Sequence, residues 1–149
     1  QMITFALVQS SFLFAVIVLF AKQGRMNSPA GPLTWVAAGV SGMLFVLQLI
    51  VPGVIARSGL AKLSTAELKG LAEVEQFRKV MPVFQSQHIV GCAMLEGGAL
   101  LSAICYMMEE NWIAMAVCAA MTGSLVAKFP TATSVRFWVE NKIREIQLR

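Results

Sequence analysis

The stretch "CAMLEGGALLS", Cys92 to Ser102, sets one carboxylate, Glu96, in a run that is otherwise apolar or small. From Phe84 to Met108, Glu96 is the only Asp, Glu, Lys or Arg. A hydrocarbon core about 30 Å thick is crossed by roughly 20 mainly apolar helical residues, each rising about 1.5 Å. The segment therefore reads as a membrane span with a buried acid near its middle. Three further stretches match it in length and character: Met2 to Ala21, Pro32 to Val51, and Trp112 to Phe129. The first is read as a span and not as a signal peptide, because it is too long for a signal core and no small-residue cleavage site follows it. Composition agrees. The chain is 57% hydrophobic and 13% charged, where soluble domains have about 45–50% and about 25%.

The expected fold is all-α, a polytopic four-helix membrane bundle forming a single transmembrane domain over residues 1–149. Its side assignment follows from charge. With four spans, the N-terminus, the segment from Ala56 to Val83 and the C-terminal tail share one side. That side carries ten of the twelve basic residues, all but Lys22 and Arg25. The bias makes it cytoplasmic, so both termini are expected there, in a bacterial inner membrane. The net charge of +4 then points to anionic lipid headgroups as partners, and a nucleic-acid reading has no support.

Both cytoplasmic segments have helical patterning. In "STAELKGLAEVEQFRKV", Ser64 and Glu67 have capping-box spacing, and Leu68, Leu71, Val74 and Phe77 recur every three residues. The tail "TSVRFWVENKIREIQLR" places Val135, Trp138, Val139, Ile143 and Ile146 on one face, with Arg136, Glu140, Lys142 and Arg144 around the other. Each is expected to lie along the membrane as a separate surface helix after a proline, Pro52 or Pro130, with Trp138 and Arg136 as interfacial anchors.

Sliding the chain by 87 positions lays Ala6 to Leu13, "ALVQSSFL", over Ala93 to Leu100, "AMLEGGAL", with Gln9 on Glu96. A slide of 77 lays Trp35 to Val40, "WVAAGV", over Trp112 to Val117, "WIAMAV". These offsets imply two copies of one unit, at about 1–80 and 81–149, each a helical hairpin followed by an amphipathic helix. Two units of two spans point the same way, about an axis along the membrane normal.

A carboxylate near the bilayer centre costs a few kcal/mol to insert, so Glu96 requires a partner. Its expected state is the neutral acid, able to donate and to accept. Gln9, at matching depth, is the expected partner, with Ser10, Ser11, Gly97 and Gly98 letting the two backbones approach. Gly98 with Ser102, and Gly123 with its small neighbours, extend the close-packing pattern. Alternatively, Glu96 binds and releases a proton or cation. The run "AMLEGGALLSAI" resembles the carboxylate-bearing helix of the rotary ATP synthase proteolipid, subunit c, and that resemblance implies ion binding at Glu96. It covers about a dozen of the 149 residues, and the preceding span has Gly39 and Gly42 without that family's sustained glycine repeat. Over its whole length the chain resembles small four-span bacterial membrane proteins without assigned activity, which implies architecture and no chemistry.

Other chemistry is sparse. His88, Cys92 and Glu96 fall along one helical face, yet His88 and Glu96 are about 12 Å apart along the axis, too far for one metal ion. His88, beside Gln85 and Gln87, reads as a polar residue at the cytoplasmic rim. Cys92, Cys105 and Cys118 read as small core residues, with no disulfide, metal site or cofactor. No nucleophile has a placed base, so no enzyme is legible. Two functions remain: an accessory, scaffold or assembly subunit, alone as a homo-oligomer or within a larger membrane complex, or an ion-coupled conduit using Glu96.

Overall fold

Hydrocarbon offers no water to backbone N–H and C=O groups, so a chain this apolar closes its hydrogen bonds within each segment, as helix. The computed structural model describes residues 2–25, 28–61, 63 and 71–147, and every regular element among them is an α-helix. In chain order these are α1 (Met2–Ala21), α2 (Pro32–Ala61), α3 (Glu73–Glu109), α4 (Trp112–Ala127) and α5 (Ala132–Gln147). Helices α2 and α3 are each long and apolar enough to cross a membrane. A third crossing is available if α4 and α5, bent by 69° at the break containing Pro130, are counted as one unit.

Helix α3 is the centre: α1, α2, α4 and α5 all pack on it. Small side chains make the closest helix contacts in an interior whose largest buried residues are Tyr106, Leu95 and Leu125. Ala99 and Ala103 of α3, Ala37 of α2 and Ala114 of α4 are buried, and Ser41 Oγ donates to the Gly98 carbonyl at 3.1 Å while lying 3.0 Å from Ser102 Oγ. Many other large apolar side chains face outward, among them Phe12 and Phe20 of α1 and Trp35, Met43 and Leu49 of α2. In the most apolar 18-residue window of α2 only 11% of residues are buried. Small residues at the helix contacts and large ones on the outer surface are the arrangement that lipid favours, since burial of apolar surface drives no helix association there and close van der Waals contact does.

Several expectations are corrected. Helix α2 does not stop at Pro52 but continues to Ala61. Proline deletes one hydrogen bond, to the Gln48 carbonyl, and two contacts hold that turn in place. A Cβ on Gly91 of α3 would lie 3.2 Å from Pro52 Cγ, so glycine there admits the ring. On the same turn Lys128 Nζ donates to Oε1 of the buried Gln48. The segment from Ser64 is likewise not a separate surface helix over its described part. Ser64, Glu67 and Leu68 lie outside the described residues, and from Glu73 the chain already belongs to α3, which runs through Pro82. Val80, just before that proline, is fully buried with Leu60, Val139 and Ile146, and Phe77, Met81 and Val83 pack around them. Contacts on both sides of Pro82 keep the helix continuous. Of the apolar side chains expected to share a face there, Phe77 packs on that cluster and Val74 is exposed.

The hairpin expectation also changes. Among the described residues α1 touches α2 little and rests on α3 and α4. It runs parallel to α3, as Ser10 meets Glu96 and Lys22 meets Glu110, partners 86 and 88 positions apart. That register coincides with the sequence offset of 87, but the contacts lack twofold balance, since α3 and α4 pack extensively where α1 and α2 do not.

The interior hydroxyls differ in satisfaction. Ser11 Oγ is buried with no hydrogen-bond partner, whereas Ser41 and Ser102 satisfy one another. An unmade buried hydrogen bond costs about 1–3 kcal/mol, and a made one contributes about 1 kcal/mol. Ser41→Ala is therefore expected to lower stability by about 1 kcal/mol, while Ser11→Ala leaves it unchanged or raises it, as read from unfolding in detergent micelles.

Candidate functional site

Glu96 lies half-buried on α3, and one of its carboxylate oxygens accepts a hydrogen bond from Ser10 Oγ. Ser10 also donates to the Leu7 carbonyl one turn back, at 3.0 Å, so its hydroxyl is shared between the two acceptors. The expected partner, Gln9, is exposed, and the acid meets its neighbour instead. The reason is rotational. Successive helical residues differ by about 100° around the axis, and the face of α1 carrying Leu7, Val8, Phe14 and Ala15 is the one packed on the core, which leaves Gln9 outside. Buried Ser11 belongs to the same inner face.

The small residues around Glu96 divide in the same way. Gly98 is buried, with Met121 Cε 2.8 Å and Ser41 Cβ 3.5 Å from where its Cβ would stand, so it admits α2 and α4 and not α1. Gly97 and Gly123 are exposed, and a Cβ on either would meet nothing within 4 Å. Neither is a close-packing position within this chain. Ser102 is, through Ser41.

His88 stacks on Phe84, ring centroids 5.6 Å apart and planes 9° from parallel, and its Nε2 lies 3.5 Å from Cys92 Sγ. Phe84 in turn meets Trp138 of α5 at 5.3 Å. His88 is thus packed between an aromatic ring and a thiol. Gln85 is exposed, and Gln87 is the half-buried member of the pair. Cys92, Cys105 and Cys118 are free and buried. Among the described residues no three His, Cys, Asp or Glu side chains converge on a point that could hold a metal ion. Arg136 pairs with Glu140 at 2.7 Å on the exposed face of α5.

At the opposite end of the bundle lies a constellation that the sequence reading passed over. Glu109, the last residue of α3, reaches the start of α2. Its Oε1 accepts from the Leu33 N–H at 3.0 Å, and its Oε2 from the Thr34 N–H at 2.9 Å and the Thr34 hydroxyl at 2.6 Å. The carboxylate does for α2 what a capping side chain ordinarily does from within the helix, and it meets the positive end of the helix dipole. Three donors and no competing acceptor fit the ionised form. Gly31 makes room, since a Cβ there would stand 2.3 Å from Glu109 Oε1.

The adjoining turn adds four ties. Lys22 Nζ pairs with Glu110 at 3.0 Å, Tyr106 donates its hydroxyl to the Arg25 carbonyl at 2.9 Å, Asn111 Nδ2 donates to the Ser28 carbonyl at 2.7 Å, and Asn111 Oδ1 caps α4 by accepting from the Ile113 N–H at 2.8 Å. Glu110 holds a left-handed conformation, φ 50°, that turns the chain from α3 into α4. The α3–α4 turn is thereby clamped on the α1–α2 connection. A signal was present in the sequence: α2 opens "AGPLT" without Ser, Thr, Asp or Asn before its proline, and Glu109 and Glu110 are the carboxylates nearest in the expected topology.

No protein-family model, curated protein or solved structure matches the chain.

If Glu109 closes α2, removing it and obstructing it are one event. Glu109→Ala and Gly31→Ala are each expected to lower the thermal midpoint in detergent, and the double variant no further than the worse single one. Additive losses would show that the two residues act separately.

Proposed function

We propose that the protein is a small integral membrane subunit of accessory, scaffold or assembly type, in which polar contacts fix the helices and the apolar outer surface meets lipid and partner helices. The observation that carries this reading is the outward face of α2, where Trp35, Val36, Val46, Leu49 and Ile50 are all more than half exposed. In this reading α1 and α4 complete four crossings, with both termini on the cytoplasmic side, in a bacterial inner membrane. Helix α5, turned 69° from α4, runs along that surface with Trp138 at headgroup level. A second copy of the chain, or a larger membrane complex, covers part of the exposed apolar surface.

The polar interior supports a structural role. Ser41 with Ser102, Lys128 with Gln48, and Ser10 with Glu96 each join two helices. The second reading, a proton- or cation-coupled conduit, is favoured by one observation: Glu96 is only half-buried and has a hydroxyl on one oxygen. Glu96 lines neither of two cavities at the α5 end of the molecule.

Reconstituted liposomes separate the two. Under the scaffold reading, wild type and Glu96→Gln are equally tight to protons and sodium, and Glu96→Gln is only mildly destabilised because the amide oxygen still accepts from Ser10. Glu96→Leu removes the tie between α1 and α3 while Ser10 keeps its bond to the Leu7 carbonyl, and lowers stability by about 1 kcal/mol, the contribution of the one hydrogen bond lost. A flux in wild type that vanishes in Glu96→Gln would establish the conduit and remove the scaffold proposal.

A further inference from the structure

The exposed face of α2 continues beyond Pro52. Val46, Leu49, Gly53 and Arg57 follow at intervals of three and four residues, so a single outward stripe passes from apolar side chains to a guanidinium. A Cβ on Gly53 would meet nothing within 4 Å, which leaves a notch where the surface turns from apolar to polar. Beside the notch, α2, α3 and α5 enclose a cavity of about 500 Å³, whose polar lining includes Arg57, Gln87, Trp138 and Lys142. Glu145 also lines it and neutralises Lys142 across 2.5 Å. Arg57 has no ion-pair partner among the described residues.

We infer that this cavity binds the phosphate of an anionic glycerophospholipid whose acyl chains lie along Val46 and Leu49. The inference rests on the membrane-spanning reading above and adds a ligand to it. Each part of the lipid has a counterpart. The apolar stripe meets the chains, and the gap at Gly53 gives room for the glycerol. The guanidinium supplies the planar fork of donors that suits a phosphate, and Gln87 and the Trp138 indole add neutral donors at the level where tryptophan is enriched. Lys142 pairs with Glu145, so among the described residues the charge of the cavity without an ion-pair partner is that of Arg57, and an anionic occupant is the one that cancels it.

The test measures the thermal midpoint of the full chain in neutral detergent, titrated separately with phosphatidylglycerol, phosphatidylcholine and inorganic phosphate, since a ligand bound only to the folded state raises its stability. Phosphatidylglycerol is expected to raise the midpoint by about twice the phosphatidylcholine shift or more, and inorganic phosphate to leave it unmoved. Arg57→Gln reduces the phosphatidylglycerol shift to the phosphatidylcholine level. Gly53→Leu, which fills the notch and leaves the charges alone, does the same. Arg78→Gln, exposed on α3 and outside this cavity, retains the full shift. Equal shifts from the two lipids, an inorganic phosphate shift as large as that of phosphatidylglycerol, a full shift surviving in Arg57→Gln or Gly53→Leu, or its loss in Arg78→Gln would each overturn the site. Reconstitution keeps this failure distinct from that of the underlying reading. A chain that does not float with phosphatidylcholine vesicles sinks the spanning reading, whereas flotation without selectivity sinks the lipid site alone.

Discussion

A helix that begins in or beside hydrocarbon carries up to four backbone N–H groups with no intrahelical acceptor and little water to replace one. Helix α2 faces that problem without a capping residue of its own, and Glu109 solves it from the far end of α3. The contact fixes where α2 starts along α3 and which way it faces. From that point the two helices descend antiparallel through a succession of close approaches: Ser41 against Gly98 and Ser102, Pro52 against Gly91, and Gly59 against Val83, whose Cγ1 would stand 2.9 Å from a Cβ at Gly59. Every one of these contacts involves a small residue or a proline ring. Once the capped end is set, the register of the rest follows from where small side chains allow contact.

The same arrangement explains why the exterior is so apolar. Helices that associate through small residues keep their large ones outside, where acyl chains accept them. Helix α2 is therefore the most exposed of the long helices although it packs extensively on α3. Polar side chains inside serve as ties between elements, and the density of those ties at the α3–α4 turn gives the bundle one firm end. At the other end α5 closes the structure more loosely, through the apolar cluster of Leu60, Val80, Val139 and Ile146 and through Trp138 on Phe84. Two cavities open there.

Helix content and the apolar character of the spans were readable from the chain, because hydrocarbon-length runs and their lack of charge are properties of contiguous residues. The face of the tail formed by Val139 and Ile146 was readable too, from helical period alone. Its sequel shows the limit. The same period put Val74 and Phe77 on one side of their helix, yet Phe77 packs against the cluster of Leu60 and Val80 while Val74 is exposed, since period fixes which residues share a side and not which of them finds a neighbour. Glu96 was legible as an acid needing a hydrogen bond, and its height on α1 was legible from the offset of 87. Its partner was not, because Gln9 and Ser10 are adjacent in sequence and some 100° apart around the helix, and only the docking of α1 decides between them.

By itself, then, the sequence determined that this chain is helical, built for lipid, and amphipathic at its C-terminal end, since those features depend on local composition and spacing. Tertiary structure alone decided that α2 and α3 run through their prolines, that α3 and not a pair of hairpins organises the bundle, and that Glu109 closes α2. Each of these depends on contacts between residues dozens of positions apart. A proline breaks a helix or bends through it according to what packs on both sides, and an unpaired N–H group is satisfied by whichever carboxylate the fold brings within about 3 Å.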